Sequence, residues 1–192
     1  MQIDVTIKGT STLLLHKYPT ATVSTKTIRG SSKDYSEEWI QTTYLNDKGE
    51  VVMPWNNIMA CIFDGSKGQK KGKAAITRIV YTSLAIATLE PLVLYEGKPI
   101  TIDRIKENDW LHISGAVVQS RRIDRIRSAI PAGYEISFSI LMKPDSQLTV
   151  DDTEMLVRRA GIYAGLGDWR PSSPKKPGPY GTFEVISFKE VK

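Results

Sequence analysis

The sequence predicts an α+β fold with a largely antiparallel sheet, and three observations carry that prediction. Apolar residues alternate with polar ones at Ile3, Val5 and Ile7 and again at Ile136, Phe138 and Ile140, the period of a strand with one buried face. Thr149-Val150-Asp151-Asp152 is a capping box that opens a helix carrying Leu156, Val157, Ala160, Tyr163 and Ala164 on one face. Strand-like segments outnumber helical ones and the two are interspersed, with no internal repeat and no heptads.

The elements follow in order. The first strand runs through Ile7 and continues past a bulge at Gly9 into the uniformly apolar residues 12–16. Residues 19–33, rich in Thr, Ser and Lys, read as a long exposed loop. Asp34 and Glu37 pattern a helix start, with Trp39, Ile40 and Thr43 on one face. After a turn at residues 46–49 and a brief strand at 51–53, Pro54 and Asn56 suit the first turn of a helix over 55–63. Its apolar stripe is Ile58, Met59, Ile62 and Phe63, and Asp64-Gly65 ends it. A further helix is expected over 73–82 and a strand over 84–95, broken at Pro91. Strands are expected at 98–102, 110–118 and 134–142, with the Arg-rich stretch 119–127 as a connection between the last two. Gly165 stops the last helix, a Gly/Pro-rich loop spans 165–181, and residues 182–188 close as a strand. The expected organisation is a single domain over residues 1–192 with an inserted hairpin region around 98–132.

The composition fits a folded chain. Of 192 residues, 41% are hydrophobic and 24% charged, which excludes wholesale disorder and fibrous structure. No apolar run approaches the roughly 20 residues needed to cross a bilayer, and the start of the chain has no basic leader or apolar signal core. The expectation is a cytoplasmic protein, or one of the host cytoplasm if phage-encoded, without a membrane partner. A single cysteine, Cys61, excludes an intramolecular disulfide and a cysteine zinc cluster.

Lys and Arg exceed Asp and Glu by 26 to 21, a net charge of +5, and the excess is segregated. Residues 66–80 carry Lys67, Lys70, Lys71, Lys73 and Arg78 with no acid. Residues 119–130 carry Arg121, Arg122, Arg125 and Arg127 against Asp124 alone. Residues 158–176 carry Arg158, Arg159, Arg170, Lys175 and Lys176 against Asp168 alone. Such segregation suits a polyanion, because neutralised phosphates release counterions along a continuous surface. The alternative is three unrelated solvated faces.

The segment from Gly68 to Ala74 fails as a Walker A loop: three residues separate its glycines and Ala74 follows the lysine where Ser or Thr must hold magnesium. What remains is a glycine-bearing, lysine-rich loop suited to phosphate. Catalysis has little to stand on. His16 closes the first strand and is the one candidate base; His112 sits between Leu111 and Ile113 as core or surface filler. Asp151 and Asp152 belong to helix capping, and Cys61 to the core. No metal site and no cofactor is expected.

The C-terminal stretch is richer. Gly165-Leu166-Gly167 leads through Trp169, Arg170, Lys175 and Lys176 to Gly178-Pro179-Tyr180-Gly181 and a strand. Glycines permit close backbone approach to a ligand, Trp169 and Tyr180 offer stacking faces, and the cations meet phosphate.

These last motifs resemble the RAMP superfamily, the RNA-binding proteins of CRISPR effector complexes. The resemblance rests on the opening strand 3–7, the helix over 151–164, the glycine-rich loop before the last strand, and Met53-Pro54-Trp55-Asn56-Asn57-Ile58, similar to the family's strand, proline, helix pattern. It implies a ferredoxin-like or RRM-like βαββαβ core with inserted strands, RNA next to the glycine-rich loop, and multimeric cytoplasmic assemblies. The loop is stretched here by residues 172–177, which departs from the compact form of the family. The catalytic aspartate or histidine of cleaving members is not recognisable. The chain also looks, more distantly, like proteins encoded by phages and prophages, a likeness that implies no role.

The sequence therefore points first to a non-catalytic protein binding RNA or single-stranded nucleic acid. The expected site comprises Lys67, Lys70, Lys71, Lys73, Arg121, Arg122, Arg125, Arg127, Gly165, Gly167, Trp169, Arg170, Lys175, Lys176 and Tyr180. Two other readings stand beside it: a metal-independent endoribonuclease using His16, and a phage-encoded assembly or protein-interaction subunit. A homo-oligomer or other protein subunits are the accompanying partners.

Overall fold

A computed structural model describes residues 1–17, 38–118 and 121–191. The predicted loop 19–33 and the helix start at Asp34 lie outside them. Strand β1 (Gln2–Gly9) buries Ile3, Val5 and Ile7 as its alternation requires. At Gly9 it passes directly under the Tyr134 ring, where a Cβ would stand 2.1 Å from a ring carbon. The chain then leaves the first sheet, and β2 (Leu13–Leu15), buried at all three residues, joins a second one. The apolar run is continuous because β2 has no solvent face.

Helix α1 (Glu38–Thr42) buries Trp39, and the Thr43 hydroxyl bonds both Trp39 O and the Ser128 hydroxyl. Asn46 Oδ1 accepts the N–H groups of Lys48 and Glu50 and so closes the following turn. Helix α2 (Trp55–Gly65) has Pro54 as its N-cap, one position before the expected first turn, and buries Ile58, Met59, Cys61 and Ile62.

The helix expected over 73–82 is replaced by three short pieces. Strands β3 (Lys70–Lys71) and β4 (Ala74–Ala75) form a hairpin whose first turn residue, Gly72, has φ +59°. A two-residue turn led by such a glycine matches strand twist, and it claims the lysines before a helix can. A tight turn (Ile76–Arg78) and α3 (Val80–Ser83) follow.

Strands β5 (Leu84–Ile86) and β6 (Val93–Tyr95) are the two halves of the strand broken at Pro91. The predicted strand over 98–102 is cut to β7 (Lys98–Pro99). Thr101 then caps α4 (Ile102–Glu107), its hydroxyl accepting the Arg104 N–H, with Asp103 in the first turn. Strand β8 (Leu111–Val118) pairs along its length with β9 (Arg121–Ile130), so the Arg-rich stretch is itself a strand and not a connection. Strand β10 (Glu135–Met142) follows, then α5 (Val150–Arg159) with its reciprocal Thr149–Asp152 capping box. Burial acts to raise the Asp152 pKa, but the Lys71 ammonium and the Thr149 hydrogen bonds outweigh it and hold the carboxyl below its ordinary value. Helix α5 widens into a π turn over Ala160–Ala164 and ends at Gly165, φ +72°. Strand β11 (Phe183–Val191) closes the chain.

The main sheet runs β11–β1–β10–β6–β7, with β5 also on β10, and all its pairings are antiparallel. If β5 and β6 count as one interrupted strand, the order is fourth, first, third, second, with α2 and α5 as the two crossovers. That is the ferredoxin-like βαββαβ arrangement. Both helices cover one sheet face, and the core between them holds Ile3, Val5, Ile7, Phe138, Ile140 and Val185 against Ile58, Ile62, Leu156 and Val157. The helices touch where Gly65 meets Ala160; a Cβ at Gly65 would lie 2.6 Å from the Ala160 Cα. In the second sheet, β2–β9–β8, the strands β8 and β9 stand between β7 and β10 in sequence, and β2 ties the sheet to the core.

The opposite face of the main sheet mixes acids, hydroxyls and lysines, with Lys189 directly opposite Asp4. Asp4, Glu135 and Glu184 lie there among the hydroxyls of Thr6, Ser137 and Ser139, and Lys8 is opposite both Glu135 and Glu184. Hydrogen bonds from Ser139 and then Gln2 keep the Asp4 carboxyl below its usual pKa.

Candidate nucleic-acid interface

The glycine-rich loop is built onto β2. Leu14 O accepts the Asp168 N–H at 2.8 Å, Thr12 O accepts the Gly181 N–H at 2.8 Å, and Gly181 O accepts the Leu166 N–H at 2.9 Å. A Cβ on Gly167 would stand 2.2 Å from Leu14 O, and one on Gly181 would stand 1.8 Å from Leu166 O. Both glycines also have φ above +70°. Their close approach is to the chain's own carbonyls, which fixes the loop in place.

Asp168 anchors this loop from below. Its Oδ2 accepts Arg127 Nε at 2.7 Å and its Oδ1 accepts the Trp169 N–H. Arg127 is 5% exposed; its Nη1 donates to Ser114 Oγ at 2.8 Å and its guanidinium lies 4.7 Å from the Trp169 ring centre. Arg127 is thus a brace between β9 and the loop. Trp169, held at φ +49°, meets the His112 ring edge-on at 5.5 Å, and His112 meets Tyr180 at the same distance. Trp169 and Tyr180 are both half-buried, the two stacking candidates gathered on either side of a histidine the sequence reading had set aside. Burial, and then the Arg127 charge, hold the His112 pKa below its ordinary value, which keeps the ring neutral.

A cleft opens on the far side of the loop, between Gly165–Gly167, the exposed side of α2 and the end of β2. It encloses about 140 Å³, and His16, Gly165, Gly167 and Arg170 line it together with Tyr44, Asn57, Ala60, Leu166 and Asp168. Arg125 Nη1 stands 3.4 Å from His16 Nε2. Arg170 donates from Nη1 to Gly167 O and from Nε to Ser172 Oγ. Ser172 in turn donates to Asp64 Oδ2 at the end of α2, where Lys67 also pairs with Asp64 Oδ1 at 2.6 Å.

The sequence-predicted residues therefore fall into groups. His16, Arg125, Arg127, Gly165, Gly167, Trp169, Arg170 and Tyr180 are brought together around one loop, and Lys67 reaches it through Asp64. Lys70, Lys71 and Lys73 sit on the β3–β4 hairpin near the start of α5, where Lys71 pairs with Asp152. Lys70, Lys73, Lys175 and Lys176 are exposed. Arg121 and Arg122 lie at the start of β9, opposite Val118 and Val117. Sequence reasoning missed Asp64, Asp168, His112, Tyr44 and Asn57. For Asp168 a signal existed: it is the lone acid of its basic stretch, and a carboxylate among cations is where an ion pair forms. Among the described residues no three His, Cys, Asp or Glu side chains are grouped to hold a metal ion, and no helix is long and apolar enough to cross a membrane.

No family model and no curated protein matches the chain. Among solved structures, a chain of a Type IV-B CRISPR complex aligns over 98% of this chain and 90% of its own length, at 9% identity and a TM-score of 0.49. Pyrococcus furiosus Cmr4 (Cas7) aligns over the full length of both chains, at 10% identity and a TM-score of 0.43. A Cas6 product complex aligns over 95% of this chain and 50% of its own, at 9% identity and a TM-score of 0.30.

Proposed function

We propose that the chain binds single-stranded nucleic acid, RNA foremost, and does not cleave it. The observation that supports this reading is that two cations, Arg125 and Arg170, and two rings, Trp169 and Tyr180, from segments far apart in sequence, flank one braced loop. Cations there meet phosphate and half-buried rings meet bases, the two contacts that hold single strands without reading sequence. The exposed Lys175 and Lys176 belong to the same loop segment, and the exposed Lys70 and Lys73 add cations on the hairpin against the start of α5. The open face of the sheet, with Asp4, Thr6, Glu135, Ser137, Ser139 and Glu184 where stacking rings would be needed, argues against the stacking mode of RRM domains, so the strand runs along the loop and helix side. The RAMP resemblance implies RNA beside the same loop.

Fluorescence anisotropy with a labelled RNA oligonucleotide tests this. Log affinity is expected to fall steeply and linearly with log salt, and changing Lys70, Lys73, Lys175 and Lys176 to Ala weakens every sequence about equally. Affinity that stays flat with salt, or is untouched by the lysine changes together with Arg170→Ala, overturns the reading.

A further inference from the structure

We propose that the cleft beside the glycine-rich loop receives one pyrimidine base of the bound strand. The proposal rests on the nucleic-acid-binding reading above and adds to it a preference that phosphate contacts cannot supply. Size comes first. At about 140 Å³ the cleft is close to the roughly 150 Å³ cavity that holds one benzene ring. A single six-membered ring matches that space, whereas a purine would leave its second ring at the open mouth of the cleft.

The lining chemistry suits a base better than a free anion. Asp168 already accepts the Arg127 and Trp169 N–H groups, and each of its oxygens keeps a lone pair for one more donor. The exocyclic amine of cytosine and the ring N–H of uracil are such donors, whereas a phosphate oxygen would be repelled. Arg170 has Nε and Nη1 held by Ser172 and Gly167 and Nη2 3.9 Å from Asp64 Oδ2, which leaves its second Nη1 hydrogen for a ring carbonyl. Asn57, on the helix wall, adds an amide that both donates and accepts. Tyr44 and His16 supply flat apolar surface, and Arg125 beside His16 stands where the flanking phosphate would pass.

The test compares labelled oligouridine and oligocytidine with oligoadenosine, on the wild-type chain and on Ala60→Leu, which fills the cleft from α2. Adenosine tracts stack on themselves, so the readout is the change in preference between the two proteins. The wild type is expected to favour the pyrimidine tracts by about tenfold more than Ala60→Leu does, the scale of one base contact. If circular dichroism shows Ala60→Leu unfolded, Asn57→Ala replaces it and is expected to narrow the preference for the pyrimidine tracts in the same way. A preference that either folded variant leaves unchanged overturns the base-pocket proposal while the binding reading stands. Absence of binding to all three tracts overturns both.

Discussion

Arg127→Met isolates the brace under the glycine-rich loop. The side chain keeps its apolar stem as far as the Nε position but loses the 2.7 Å ion pair to Asp168, the 2.8 Å bond to Ser114 and the guanidinium on Trp169. Breaking a fully buried pair costs about 3–5 kcal/mol. Asp168 is 28% exposed, so water partly compensates it and roughly 2 kcal/mol is the better figure. The Ser114 bond adds about 1 kcal/mol and the contact with Trp169 about 0.5 kcal/mol, for a total near 3 kcal/mol after the Met packs. For a chain of this size that lowers Tm by about 6–12 °C. Urea denaturation of wild type, Arg127→Met, Asp168→Asn and the double variant measures it, with a coupling of about 1–2 kcal/mol expected between the two sites. A loss under about 0.5 kcal/mol with no coupling would refute the brace.

Gly167→Ala should cost about 3 kcal/mol or more, because φ is +75° and the new Cβ meets Leu14 O; Gly68→Ala, with φ +78° but open space, should cost only about 1 kcal/mol. Thermal melts of the two variants check the difference. His112 takes up its proton below pH 6.5 in the folded chain and near 6.5 in the unfolded one, so its contribution is present above pH 6.5 and is lost as pH falls through the folded value. Denaturation midpoints across that window should slope less for His112→Phe than for wild type. Lys71→Ala removes the main group lowering the Asp152 pKa, and carboxyl-carbon NMR should then show that pKa moving up. His16→Ala in a gel assay with labelled RNA and EDTA should change nothing, since no cleavage is expected from either protein; wild-type cleavage that the variant lacks would install the endoribonuclease reading.

The strands β1, β10 and β11 were legible because each has one face in the core and alternates accordingly, and α5 because its capping box is local. Strand β9 was not: Arg125 and Arg127 share one side of it, yet Arg127 is buried, so hydropathy alternation is scrambled by a cation that finds its partner about forty residues away. Helix α4 is only six residues long and too short to show a helical period, although Thr101 and Asp103 do mark its start. The β3–β4 hairpin turned on Gly72, whose φ was invisible among residues that also suit a helix. In the site, Trp169 and Tyr180 announced themselves by residue type within a glycine-rich loop. His112 did not, since a lone histidine between Leu111 and Ile113 carries no mark of the two rings that fold against it.

The carboxylates Asp64, Asp152 and Asp168 act as internal competitors for any incoming polymer. Lys67, Lys71 and Arg127 arrive already neutralised, so heparin-like or membrane-bound anions find fewer open charges than the sequence advertises. A ligand that also offers rings to Trp169 and Tyr180 is favoured over one that offers charge alone, which makes the built-in acids a filter for discrimination.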